Sequence, residues 1–110
     1  MVEKLYPYSV TDEKTVEIFL NDDHCTIGHV ILKPGDALPE HSTDSNVYLL
    51  IVRGELTLSL KQTETKIFGQ GAVVNVPFGT MLGMSNSSDG ILELFAFKSP
   101  NPKNYPVKDK

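Results

Sequence analysis

Cysteine is nearly absent from this 110-residue chain: Cys25 stands alone. One thiol forms no internal disulfide, so the fold must hold without staples, and a reducing cytoplasm is the expected setting. Positive charge is also in deficit. Ten Lys and Arg stand against fourteen Asp and Glu, giving a formal charge of -4 and a pI near 5.2. That balance leaves no basic surface to neutralise phosphates and excludes nucleic acid as an expected partner. Long apolar runs are missing. The longest, Val47 to Val52, has six residues, against the roughly 18 or more of a membrane span, so a soluble protein without a membrane partner is expected. The opening residues, MVEKLYPYSV, have no charged leader, apolar core and small-residue cleavage site in succession, and no secretory signal is expected. Histidine is scarce too. His24, His29 and His41 make up the full set, which bounds any histidine-based metal chemistry. The length suits one domain and leaves no room for a second catalytic or DNA-binding module.

What is present points to strands. No stretch longer than about ten residues keeps a helical period; short runs rich in Val, Ile, Leu and Phe recur instead between turn signals. The spacing predicts strands over 15–20, 26–33, 46–52, 55–61, 63–68, 72–76, 80–85 and 91–97. Between them lie Asn21-Asp22-Asp23, Pro34-Gly35-Asp36, Arg53-Gly54, Gly69-Gln70-Gly71, Pro77-Phe78-Gly79 and the run from Asn86 to Gly90, which supply the positive-φ or fixed-φ residues that chain reversal needs. Short strands at this spacing suggest a sandwich or small barrel. Two of them, 47–52 and 91–97, are apolar at almost every position, so both of their faces are expected to be covered. One face would line the interior, and the other would meet a second sheet or a second subunit. The domain is placed at 1–98, and the tail 99–110, with three prolines and four charges, reads as an exposed arm.

Two spaced patterns add a family resemblance. The first is Gly35-DALPE-His41-Ser42-Thr43-DSN-Val47-YLLIVR-Gly54; the second is Gly71-AVVNV-Pro77-Phe78-Gly79-TM-Leu82-GMS-Asn86. Their spacing resembles that of the cupin superfamily, in which such a pair of motifs frames a metal centre, and in particular its small single-domain members. The resemblance implies an all-β, single-domain jelly-roll barrel of the cupin type. It also implies a homodimer, in keeping with the apolar outer faces of the two strands. The six scaffold positions, Gly35, Gly54, Gly71, Pro77, Gly79 and Asn86, match the pattern. Of the four positions that hold metal ligands in the family, His41 alone matches; Thr43, Val47 and Leu82 occupy the others.

A catalytic zinc or iron site needs about three protein ligands, so no cofactor is expected, with a divalent metal at His41 as the lesser alternative. The leading expectation is a protein that binds a small, partly apolar molecule in the barrel. Val47, Leu49, Ile51, Leu82 and Met84 would line the site, and His41 and Thr43, two apart in an extended chain, would form its polar end. Glu93 shares parity with Ile91, Phe95 and Phe97. It is therefore a candidate inward carboxylate, or alternatively an outward partner in an ion pair. His29, in the middle of its strand, could join His41 if it faces inward; otherwise it is a satisfied core or interface residue. Two alternatives stay open. One is an enzyme of the dioxygenase, isomerase or epimerase type, using His41 with Glu93 or His29. The other is a structural or interaction protein whose barrel is filled by side chains.

Overall fold

Side-chain alternation decides which face each strand buries. The computed structural model describes residues 2–60 and 64–105. Among them it forms strands β1 (Thr15–Asn21), β2 (Thr26–Leu32), β3 (His41–Ser42), β4 (Val47–Arg53), β5 (Glu55–Leu60), β6 (Glu64–Gly69), β7 (Val73–Val76), β8 (Met81–Ser85) and β9 (Leu92–Lys98). A short 3₁₀ turn, Pro102–Asn104, follows. All eight predicted strands are present; Lys61 and Thr63, the adjoining ends of two of them, lie outside the described residues. The unpredicted strand is β3, whose two residues are too few to carry a period.

The strands form two antiparallel sheets, ordered β1-β2-β9-β4-β7 and β3-β8-β5-β6. Alternate residues of β4 (Val47, Leu49, Ile51), β5 (Leu56, Leu58), β8 (Leu82, Met84) and β9 (Leu92, Leu94) meet between the sheets in one buried cluster. This is the two-layer jelly-roll expected of the sequence, with its inner faces interdigitating.

Hydrogen bonds join the two sequence motifs. The Gly35 amide donates to the Asn86 carbonyl at 2.8 Å, and the Asn86 amide donates back to Asp36 at 2.9 Å. The buried Asn86 side chain donates to the carbonyls of Leu32 (2.9 Å) and Gly90 (2.8 Å) and accepts from the Ser88 amide at 3.0 Å. An amide so fully used locks the β8–β9 turn onto the end of β2.

Two expectations about coverage change. The outer side chains of β9, Glu93, Phe95 and Phe97, are half-buried, and Tyr8 of the N-terminal segment lies against Phe95 with ring centroids 5.0 Å apart. On β4 the corresponding Tyr48 and Val52 stay exposed. Both strands are apolar at almost every position, yet within one chain the cover lies mainly over β9. The tail also departs from an exposed arm. Asn101 is buried, its side chain donates to Asn21 Oδ1 (2.8 Å) and the Asp22 carbonyl (2.7 Å), and Tyr105 stacks on Phe78 at 4.4 Å. Residues 106–110 of that tail lie outside the described residues.

Gly54 and Gly79 both have positive φ, 79° and 80°, but their surroundings differ. A Cβ on Gly54 would sit 2.1 Å from the Ile91 carbonyl oxygen, whereas one on Gly79 would meet nothing within 4 Å. Gly79→Ala should therefore cost only the left-handed backbone penalty of about 1–2 kcal/mol. Gly54→Ala must also displace packed backbone and should cost about 2–5 kcal/mol. Urea unfolding of the two variants checks the order; equal losses would show that the contact at Ile91 carries no weight.

Candidate functional site

The five apolar residues expected to line a ligand cavity instead fill the interior. Val47, Leu49, Ile51 and Leu82 are buried in the core cluster with Leu56, Leu58, Leu92 and Leu94. Of the five, Met84 also reaches open space.

Of the four positions that match the family's ligand slots, Val47 and Leu82 share the buried core cluster. His41 pairs across the sheet with Leu82, and Val47 lies on the facing strand β4. Their chemistry does not fit a metal. Val47 and Leu82 present hydrocarbon. The buried Thr43 hydroxyl donates to the Pro77 carbonyl (2.7 Å) and accepts from the Thr80 amide (3.0 Å). Its backbone makes two further bonds, Thr43 N to Thr80 O and Gly79 N to Thr43 O, each 3.0 Å. Thr43 is thus a clamp on the Pro77–Thr80 turn, not a polar end for a ligand. Among the described residues no group of three or more His, Cys, Asp or Glu is placed to hold a metal ion.

Open space lies further along the inner face. A cleft of about 170 Å³ runs between the β1-β2-β9 edge of the larger sheet and Leu38, His41 and Met84 on the other side. Strand register explains it: Ile18 pairs with Gly28, and Gly28 pairs with Ala96. The next inward row is Val16, Val30 and Leu94. Where that row has branched side chains, the Gly28–Ala96 row has almost none, and the missing volume is the cleft. Val16 and Ile18 form its outer wall, and both are well exposed, at 60% and 63%. His41 stands at the rim, its Nδ1 3.4 Å from the Pro39 carbonyl. Lys98, which shares the inward parity of Leu92, Leu94 and Ala96, reaches from the cleft to Asp44 at 2.9 Å. Of the residues expected to bind a ligand, His41 and Met84 line this cleft. Gly28, Ala96, Lys98 and the β1 residues were not anticipated, although a glycine within a strand is itself a signal of close approach or missing side-chain volume.

Glu93 and His29 lie on the opposite, outer face of the large sheet. His29 is fully buried there, with Nδ1 2.9 Å from Glu17 and Nε2 2.6 Å from Glu93. Its ring stacks on Phe95 at 4.8 Å and meets Tyr8 at 4.9 Å. Glu93 also pairs with Arg53, which pairs with Asp12, both at 3.0 Å. A carboxylate only accepts, so each His29 ring nitrogen must carry hydrogen to bond its carboxylate, while the buried Arg53 Nε has no hydrogen-bond partner. Of the alternatives open from the sequence, the structure has Glu93 as the outward ion-pair partner and His29 as the satisfied buried residue, not as inward groups. Neither can reach His41, because the sheet stands between them, and acid–base or metal chemistry pairing His41 with either loses its second residue. Burial pushes the Cys25 thiol up, away from the thiolate form.

The outer network also ties down the N-terminal segment. Ser9 donates to the Glu17 carboxylate through its amide (2.9 Å) and hydroxyl (3.0 Å). Hydrogen bonding by His29, then by Ser9, holds the Glu17 carboxyl below its ordinary value. A lowered folded-state value means that stability from this group is fully present above the ordinary carboxylate pKa of about 4.3 and is lost as pH falls through the lowered value. Urea midpoints measured from neutral pH into acid should fall for the wild type and fall less steeply for Glu17→Gln. Identical acid profiles would contradict the assignment.

No family model matches the chain. The uncharacterized protein MJ0764 of Methanocaldococcus jannaschii is 39% identical over 105 residues, spanning 94% of this chain and 90% of that protein. The crystal structure of MJ0764, an RmlC-like cupin family protein with a double-stranded β-helix fold, matches with a TM-score of 0.89 at 38% identity, over 94% of this chain and 95% of that one. An RmlC-like cupin from Desulfovibrio desulfuricans matches with a TM-score of 0.74 at 19% identity, over 92% and 98% of the two chains, and there the likeness is of fold alone. Near-complete similarity to MJ0764, a shared double-stranded β-helix and two motifs joined at Gly35 and Asn86 lead to one conclusion: the chain belongs to the RmlC-like cupin family.

Proposed function

We propose that this protein binds a small, largely apolar molecule in the cleft beside Gly28 and Ala96, without a metal centre at the family position. The observation that carries the reading is the pairing of those two small residues on the inner face. A barrel with no binding role gains stability from filling such a gap, since each unfilled methyl-sized space costs about 1 kcal/mol. A cleft with apolar walls and a few polar groups at one end suits a small ligand. The packed interior at Val47, Leu49 and Leu82 favours the filled-barrel alternative at that position, and the cleft is what separates the two readings. A reducing, cytoplasmic setting suits a chain with one cysteine.

We also infer a homodimer. The edge strand β1 presents Val16 and Ile18 to solvent, and Leu5 and Val10 of the N-terminal segment are exposed as well. Apolar groups on an unpaired sheet edge are a liability unless another chain covers them.

A Cβ on Gly28 makes only ordinary contacts, the nearest 3.5 Å from the Glu17 carbonyl, and valine suits a strand. Gly28→Val should therefore fold and fill the cleft. Thermal-shift screening of a metabolite collection should give stabilising compounds for the wild type that fail with Gly28→Val. Hits shared equally by both proteins would place binding elsewhere and overturn the reading.

A further inference from the structure

Resting on the binding reading above, we propose that the cleft takes a small monocarboxylate, its hydrocarbon part over Gly28 and Ala96 and its carboxylate at Lys98. The cleft's inward polar side chains are Thr26, His41 and Lys98. Glu17 borders it through its backbone, because its carboxylate is held on the opposite face by Ser9 and His29. The one fixed charge that the lining side chains direct to the cleft is that of Lys98, which is paired with Asp44.

Lys98 is well placed to receive an anion. It lines the cleft with its side chain 26% exposed, and its ammonium reaches the exposed Asp44; a lysine stem can lie on apolar surface while its charged head stays in water. Asp44, at 61% exposure, takes one ammonium contact, and an ammonium has three donors. An exposed ion pair of this kind contributes little, so an incoming carboxylate can share or displace it at small cost. A ligand amine would meet like charge, and an alcohol would forgo the charge-assisted bond.

The hydrocarbon part must be short. A volume of about 170 Å³ is about six times a water's share of liquid volume and lies below the roughly 300 Å³ at which drug-sized pockets begin. Branched or flat groups fit its proportions, because the floor is one small-residue pair wide and the walls are Ile18, Val30 and Met84.

Amide NMR titrations test the proposal with 3-methylbutanoate and benzoate as probes, against 3-methylbutanol and 3-methylbutylamine. In the wild type the carboxylates should shift the Gly28 and Ala96 amides and bind about tenfold or more tighter than the alcohol or amine, as a charge-assisted bond predicts. Lys98→Met should erase that preference while leaving weak binding of all four. Gly28→Val, and Ala96→Val as a second filling variant, each checked for a folded spectrum, should abolish binding. Equal or tighter binding of alcohol or amine, or a preference that survives Lys98→Met, would overturn the carboxylate assignment alone. If no probe moved the Gly28 and Ala96 signals, the binding reading itself would fall with it.

Discussion

The space between two packed sheets is a fixed volume that side chains must fill, and the rest of this structure follows from how the chain distributes that filling. At the β4 end, Val47, Leu49, Ile51, Leu56, Leu58 and Leu82 are buried together in the core cluster. At the β1-β2 end, Gly28 and Ala96 face each other across two strands and leave it open. Three of the family's four ligand slots, Thr43, Val47 and Leu82, are buried, while His41 is exposed at the rim of the cleft. A hydrated dication there would have to displace hydrocarbon and be held by Val47 and Leu82, which offer no ligand atom, so desolvation would go uncompensated.

The scaffold that sets this distribution is held by backbone bonds at the motif residues. Gly35 and Asn86 exchange bonds across the two motifs, Gly54 lies against the Ile91 carbonyl, and Thr43 fixes the turn that carries Pro77 and Gly79. These contacts do not depend on a metal. The barrel can therefore keep the family's frame with three of the four ligand slots replaced. On the far side of the large sheet, the fully buried His29 draws Glu17 and Glu93 together under Tyr8. That cluster anchors the N-terminal segment and takes two carboxylates away from the inner face.

Much of the fold was legible because glycine and proline mark the turns between β-branched runs, and because the motif spacing survives where the ligands do not. The candidate site was less legible, for particular reasons. Glu93 shares parity with Phe95 and Phe97, but both faces of β9 are apolar, so parity tells one face from the other without telling inside from outside. The partners of the Thr43 hydroxyl, at Pro77 and Thr80, are more than thirty residues away in sequence, and no local pattern reports them. The cleft is made of side chains that are missing. Hydrophobic periodicity registers what is present, so it selected the residues that fill the interior and passed over Gly28 and Ala96, which do not. The short strand at His41 has no period at all, although it sets the one histidine that borders the cleft.

The central claim is that the family's ligand slots, with Thr43, Val47 and Leu82 in three of them, do not supply the donor set of a metal centre. Elemental analysis of protein purified without a metal-affinity tag tests it most directly, with iron, zinc, nickel and manganese measured in the wild type and in His41→Ala. The account predicts metal well below one atom per chain in both proteins. Near-stoichiometric metal in the wild type that disappears in His41→Ala would contradict it.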